Sequence, residues 1–215
     1  MCARGRKLRS FRSVCRQDVC APSRAPDESW RVFCAIEVPA TVREHIADHI
    51  AQLKNSVPDA RASWARDENL HLTIKFLGDT PIARAEALSQ AAARAVATIQ
   101  AFELIVEGCG SFPLHGPARV LWIAINDPSG NLAQLYRELE KECAGEGFAR
   151  EERVFHPHLT IARLRKPQGA RRLAEAHKML GFEGIAFRVS ELRVIRSELL
   201  PEGSRHTLIS KHALQ

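Results

Sequence analysis

The sequence His-Leu-Thr-Ile occurs twice in this chain, at residues 71–74 and 158–161. Each copy lies in an apolar stretch that is typical of a β-strand. Residues two apart on a strand share a face, so each motif presents an imidazole and a hydroxyl on the same side. The leucine and the isoleucine face the other way, where they can pack under helices and hold the polar pair in position.

If the two strands lie side by side, His71 and His158 flank one small cleft. Such a pair suits acid–base chemistry on a phosphate without a metal. One neutral imidazole takes a proton from water, and the other, as imidazolium, gives a proton to the leaving oxygen. The hydroxyls of Thr73 and Thr160 would bind the phosphoryl oxygens. A single His-x-Thr is usually structural, but two copies in matched strand context favour a catalytic pair.

The composition bounds the size of the fold and the kind of substrate. A chain of 215 residues with 45% hydrophobic residues can bury a core, as one domain or as two lobes sharing a cleft. The net charge of +6 comes from residues 1–26, which hold seven basic residues and one acidic residue and leave 24 of each sign in the other 189. Because that remainder is neutral overall, we expect a short or terminal phosphate as substrate rather than a long duplex.

Cysteine spacing and hydropathy indicate the compartment. The six cysteines form no Cys-x-x-Cys pair and show no zinc-type spacing, so we expect free thiols in a reducing environment. The basic start lacks the apolar run of a secretory signal, and no run of about eighteen apolar residues could span a membrane. These features predict a soluble, cytoplasmic protein. An organelle transit peptide is the alternative for the first residues, which contain arginine and serine and few acids.

The elements that must position the two motifs are predicted from hydrophobic periodicity. Helices and strands alternate in two similar halves, each with one motif strand. We therefore predict an α+β fold with two lobes, antiparallel-rich sheets around a central cleft and helices outside, over residues 29–215. Residues 1–28 are expected to form a disordered basic extension. The predicted strands are 31–38, 62–64, 69–77, 102–109, 119–125, 154–164, 185–196 and 205–212, and the helices are 41–54, 82–99, 131–143 and 169–180.

The chain resembles the two-histidine phosphoesterase superfamily, and in particular its RNA 2′,3′-cyclic phosphodiesterase branch, also called 2′-5′ RNA ligases. The resemblance covers about residues 30–215 and implies the two-lobed fold of that family. It rests on RVFCAIEVP at 31–39, Trp64 followed by ENLHLTIKFLG at 68–78, FHPHLTIAR at 155–163 and RSEL at 196–199.

The resemblance implies an enzyme that opens 2′,3′-cyclic phosphates on RNA ends or nucleotides to a 2′-phosphomonoester, without metal or cofactor, and in some members catalyses 2′-5′ joining in reverse. By motif position, His71 resembles the proton donor to the departing 3′ oxygen, and His158 resembles the base that activates water. Thr73 and Thr160 would bind the phosphate. Joining would exchange the acid and the base, because of microscopic reversibility. We expect the protein to be a monomer.

Three further side chains near the motifs are assigned from strand parity. Simple alternation places Lys75 on the cleft side, where its ammonium could attract the phosphate, with a solvated strand end as the alternative. Arg163 matches the arginine that follows the second motif in the family, yet it should face away from the cleft unless the strand twists or bulges. Phe76 has the same parity as Arg163 and is expected in the core rather than under a nucleobase.

The remaining histidines offer a metal-binding alternative that we consider weaker. His156 and His158 could share a strand face, but no carboxylate or cysteine at ligand spacing accompanies them. Pro157 is tolerated only at an edge or at the start of a strand, so His156 is expected in a loop or at the cleft rim. The other histidines are structural or solvated by default: His45, His49, His115, His177, His206 and His212.

Two other functions remain open at this point. A phosphodiesterase of the same superfamily could act on another diester, such as a 2′-5′ oligoadenylate or a cyclic ADP-ribose phosphate. It would need the same four residues, so only substrate profiling separates it from the first hypothesis. A nucleotide-binding module without turnover is the other alternative, but both motifs are intact.

Overall fold

The computed structural model describes residues 28–201 and 203–215. Of the extension predicted over residues 1–28, all but Glu28 lies outside the described residues. In chain order, the described elements are β1 (Ser29–Glu37), α1 (Ala40–Ser56), β2 (Ala62–Trp64), β3 (His71–Pro81), α2 (Ala85–Val96), β4 (Phe102–Phe112), β5 (Val120–Asn126), α3 (Asn131–Gly145), β6 (His158–Leu164), α4 (Ala170–Leu180), β7 (Ile185–Val189), β8 (Glu191–Leu200) and β9 (Gly203–Ala213).

The strands form two sheets in which all neighbours are antiparallel. The first sheet has the order β3-β1-β8-β9 and the second has the order β2-β6-β5-β4-β7. Helices α2 and α3 pack together against the first sheet, and α1 and α4 pack together beside the second. The predicted α+β fold with two antiparallel lobes is confirmed. No helix within the described ranges is long and apolar enough to cross a membrane.

The helices dock through the faces that their apolar spacing predicted. Helix α1 buries Val42, Ile46, Ile50 and Leu53, which recur at helical intervals along one side. Helix α2 presents a face of alanines, whose small side chains let it approach its neighbours closely. Buried side chains from both lobes join one hydrophobic core, so the lobes share an interior behind the cleft.

Two predictions of strand limits were wrong. The second motif strand begins at His158 rather than at residue 154, because Pro157 lacks the N–H that a central strand needs. The single strand predicted over 185–196 is two strands separated at Ser190, β7 in the second sheet and β8 in the first. The apolar alternation shifts by one residue there, from Phe187 and Val189 before the break to Leu192 and Val194 after it, and the prediction of a single strand overlooked this shift. Strands β8 and β9 thus return to the first sheet, and the lobes are not successive halves of the sequence.

Both motif strands contain a bulge directly after the His-x-Thr sequence. The pairing of β3 with β1 skips Ile74, and the pairing of β6 with β5 skips Ile161. A bulge adds one unpaired residue and reverses the alternation of side chains beyond it. Lys75 is therefore buried next to Ile74, and the residues that follow the bulges by two, Phe76 and Arg163, lie at the cleft.

The bulge keeps Lys75 out of the cleft and makes it part of the interior. Its side chain is 2% exposed, and its Nζ donates hydrogen bonds to Glu140 Oε1 at 2.6 Å and to the Ala149 carbonyl at 2.8 Å. The other carboxylate oxygen of Glu140 accepts the backbone N–H of Glu151 at 3.2 Å. The predicted cleft position of Lys75 is wrong, and so is the solvated alternative. This ion pair instead joins β3 to α3 and to the segment after it.

Replacing Lys75 by methionine should destabilise the fold without changing substrate binding. The change leaves the Glu140 carboxylate buried without its counter-charge, and breaking a buried pair in this way costs about 3–5 kcal/mol. We expect the urea midpoint to fall accordingly, while KM stays unchanged under conditions in which the protein is folded.

The matched control is Lys141→Met. Lys141 pairs with Glu138 at 3.0 Å on the surface, where its side chain is 68% exposed, so its loss should change the urea midpoint little. Normal stability of Lys75→Met, or a raised KM in the folded variant, would contradict the structural role of Lys75.

Candidate active site

A cleft with a volume of about 830 Å³ runs between the two lobes, and both motifs open into it. His71 and Thr73 reach it from β3, and His158 and Thr160 reach it from β6. The four side chains that the sequence predicted to act together therefore line one cavity. Other side chains that line it include Arg31, Arg66, Phe76, Arg163, Arg165 and His206.

The two motif histidines are held in the same way. His71 Nδ1 lies 2.7 Å from the Asn69 carbonyl, and His158 Nδ1 lies 2.7 Å from the His156 carbonyl. A carbonyl only accepts hydrogen bonds, so in each ring Nδ1 carries the hydrogen. The lone pair of each neutral ring is then on Nε2, the nitrogen that remains for chemistry in the cleft.

Aromatic neighbours fix the planes of both rings. His71 stacks on Phe33 with centroids 4.7 Å apart and meets the edge of His206 at 5.1 Å. His158 makes an edge contact with Phe112 at 5.2 Å and lies 6.1 Å from Trp122. Each imidazole therefore keeps one orientation before any substrate arrives.

Burial makes both histidines weaker bases than an ordinary imidazole. It lowers the pKa of His71 to about 4, together with the nearby His206 and against the hydrogen bond to Asn69. It also lowers the pKa of His158, where the His156 carbonyl opposes the shift and the Arg163 guanidinium adds to it. In the empty cleft at neutral pH, both rings are thus neutral.

The cleft is positively charged although the folded part of the sequence is not. Four arginines line it, Arg31, Arg66, Arg163 and Arg165, and none of the described lining residues is acidic. The Arg31 guanidinium lies over the Phe76 ring at 4.8 Å. Guanidinium groups match the geometry of phosphate oxygens, so this cleft favours an anionic ligand.

The bulges determine where two residues beside the motifs lie. Arg163 was expected to face away from the cleft unless its strand bulged. Strand β6 does bulge, and Arg163 lines the cleft. Phe76 is 45% exposed and lines the cleft, so its predicted core position is wrong for the same reason in β3. His156 is exposed and contributes its backbone carbonyl to the site.

Sequence reasoning missed His206, which it treated as structural or solvated. This histidine comes from β9, contacts the rings of His71 and Phe33, and lines the cleft. It pairs in register with Ser197 of β8, which belongs to the RSEL segment that carried the resemblance. The pairing of His206 with Ser197 could have pointed to the cleft, but it can be known only once the register of β8 and β9 is known.

The comparisons with known proteins agree with this geometry. A family model described as the 2′-5′ RNA ligase superfamily matches residues 42–199. The RNA 2′,3′-cyclic phosphodiesterase of Methanothermobacter thermautotrophicus is 33% identical over 178 residues, which is 82% of this chain and 95% of that protein. The apo structure of Escherichia coli LigT has a TM-score of 0.67 at 27% identity and covers 87% of this chain and 99% of LigT. LigT complexed with 3′-AMP has a TM-score of 0.66, with the same identity and coverage.

Two antiparallel lobes with one His-x-Thr strand each define a two-histidine phosphoesterase. The chain belongs to the 2′-5′ RNA ligase superfamily within that class. The family and the enzyme class predicted from the sequence are therefore confirmed.

Proposed function

We propose that this enzyme hydrolyses the 2′,3′-cyclic phosphate of an RNA end or nucleotide and leaves a 2′-phosphomonoester. The observation that carries the proposal is the matched pair of imidazoles in one cleft, each held by a carbonyl at Nδ1 and each with Nε2 available. The relative from Methanothermobacter thermautotrophicus is named an RNA 2′,3′-cyclic phosphodiesterase, and this chain aligns with 95% of its length. That similarity supports the same reaction.

In this mechanism, the two histidines move one proton each. His158 Nε2 takes a proton from water as the water oxygen bonds to phosphorus, and His71 gives its Nε2 proton to the 3′ oxygen as the P–O3′ bond breaks. The hydroxyls of Thr73 and Thr160 donate to the phosphoryl oxygens, where negative charge develops. Joining through a 2′-5′ linkage would use the same pair with exchanged roles.

In this proposal, substrate binding brings His71 into its protonated, acidic form. His71 is neutral in the empty cleft because burial lowers its pKa to about 4. A bound phosphate anion favours the imidazolium form of His71. It supplies a negative charge to a cleft that is lined by arginines and by no described acidic residue. Binding is therefore coupled to proton uptake, and the protein needs no buried carboxylate beside His71.

Alanine in place of either histidine should abolish nearly all turnover. Loss of a positioned acid or base costs about 10²–10⁴-fold in rate, and kcat should fall more than KM rises. Replacing Thr73 or Thr160 by valine should cost less, because only hydrogen bonds to the phosphate are lost. The assay is turnover of a 2′,3′-cyclic mononucleotide, with the position of the product phosphate assigned by phosphorus NMR.

His156→Ala is the control for His158→Ala. The His156 ring is exposed, and the substitution keeps the backbone carbonyl that holds His158, so activity should remain. Activity should also survive a chelator. Loss of activity in both experiments would favour a metal-dependent hydrolase, and a 3′-phosphate product would contradict the proposed reaction.

The pH profile should separate the empty from the occupied cleft. The pKa of each catalytic histidine lies below the ordinary 6.5 in the free protein. A group that must be protonated then loses its proton at lower pH, so the falling limb of kcat/KM should lie below pH 6.5. Bound phosphate raises the pKa of the acid, so the falling limb of kcat should lie at higher pH. Coincident limbs for kcat/KM and kcat would contradict this coupling.

We also propose that residues 1–28 form a separate basic extension that is dispensable for chemistry. The whole charge excess lies within residues 1–26. A protein beginning at Asp27 should keep its turnover of a cyclic mononucleotide and lose only salt-sensitive affinity for long RNA. Binding and turnover of both substrates at low and high salt test this. A large loss on the mononucleotide would show that the extension contributes to the active fold.

A further inference from the structure

A second cluster of histidines lies away from the cleft, where α1 and α4 pack beside β4. It consists of His49 from α1, Cys109 from β4 and His177 from α4, whose ligand atoms all lie within 4.8 Å of one another. It is the one group of three or more potential metal ligands found within residues 28–201 and 203–215. None of the three residues lines the cleft.

The hydrogen bonds of this cluster define where its lone pairs point. His177 Nε2 lies 3.0 Å from the Trp122 carbonyl, so it carries the hydrogen, and His177 Nδ1 carries the lone pair. His49 Nε2 lies 2.9 Å from that Nδ1 and donates a hydrogen bond to it. The sulfur of Cys109 lies 4.0 Å from the same His49 nitrogen. Two nitrogens and one sulfur thus lie close together, with the His49 proton between the two nitrogens.

We propose that this cluster is a zinc site in which the metal ion takes the place of that proton. Imidazole nitrogen and thiolate sulfur are both ligands of tetrahedral Zn²⁺, and a water takes the fourth position where the protein supplies three ligands. Tetrahedral zinc separates two such nitrogens by about 3.3 Å, and a nitrogen and a sulfur by about 3.5 Å. The two separations that involve His49, 2.9 Å and 4.0 Å, each need a change of about half an ångström.

The surroundings bury the two imidazoles and orient one of them. His49 and His177 are 5% and 1% exposed, so their ring nitrogens are shielded from solvent. The hydrogen bond from His177 to the Trp122 carbonyl is the kind of outer contact that orients a metal-bound imidazole. Cys109 is half-buried and marks the side from which an ion would enter.

The protons balance when zinc binds. The Cys109 thiol releases its proton to solvent and binds as thiolate. The His49 proton moves from Nε2 to Nδ1, so that Nε2 can bind the ion, and His177 keeps its proton on Nε2. A hydrogen-bonded histidine pair that serves only packing would bind no metal and would leave the thiol protonated.

Cobalt(II) is the probe that reports the sulfur ligand directly. The full-length protein, stripped with a chelator, should bind one equivalent of Co²⁺ with a thiolate-to-cobalt charge-transfer band, and one equivalent of Zn²⁺ should remove the band. Cys109→Ala should abolish the band, whereas Cys143→Ala, at a buried cysteine outside the cluster, should retain it. Joint replacement of the N-terminal cysteines should also retain it: Cys2, Cys15 and Cys20.

The histidine ligands have a matched control on the same helix. His49→Gln should lose tight zinc binding, although its amide can still donate to His177, so the fold should persist. His45→Gln, one turn away at an exposed position, should bind zinc like the wild type. Zinc should raise the melting temperature of the wild type and of His45→Gln but not of His49→Gln. The proposal is overturned if the wild type binds no zinc, or if Cys109→Ala and His49→Gln still bind it tightly.

Discussion

A bulge in the backbone follows each His-x-Thr motif, and it determines which charged groups reach the cleft. Regular alternation would place Lys75 beside the phosphate and turn Arg163 away, and the extra residue in each strand does the opposite. The cleft thereby receives a guanidinium, which can bind two phosphate oxygens at once. The ammonium is used in the interior instead, where its ion pair with Glu140 ties the motif strand to α3.

The same geometry explains how a domain without net charge can bind an anion. The described cleft residues offer arginines and histidines without a carboxylate, and the histidines stay uncharged while the cleft is empty. Repulsion among the cations is thus limited until a phosphate arrives. In the proposed mechanism, the ligand carries the compensating charge, so the protonated form of the acid would exist mainly when substrate is bound. A permanent carboxylate partner would raise the histidine pKa but would also repel the phosphate.

The sequence could predict whatever depends on local pattern. The apolar face of α1, the motif strands and the family followed from spacing and motif identity, and the structure bears them out. The prediction that Phe76 lies in the core was wrong because the bulge in β3 reverses the alternation of side chains. Nothing in the local sequence of an apolar strand indicates a one-residue bulge. The boundary at Ser190 was missed although the buried positions shift there from odd numbers in β7 to even numbers in β8, because a phase shift alone does not show that the chain changes sheets. His206 was missed since its role depends on which strand pairs with β8, a contact that only the fold creates.

The cluster of His49, Cys109 and His177 shows the same limit more strongly, because its members are up to 128 residues apart and no spacing rule connects them. What the two histidine sites share is the use of a backbone carbonyl to choose the reactive nitrogen. In the cleft, the carbonyl binds Nδ1 and leaves Nε2 for the proposed proton transfer, whereas at His177 it binds Nε2 and leaves Nδ1. Under the two proposals, one residue type would serve two different chemistries in one domain, since the main chain sets the tautomer at each place.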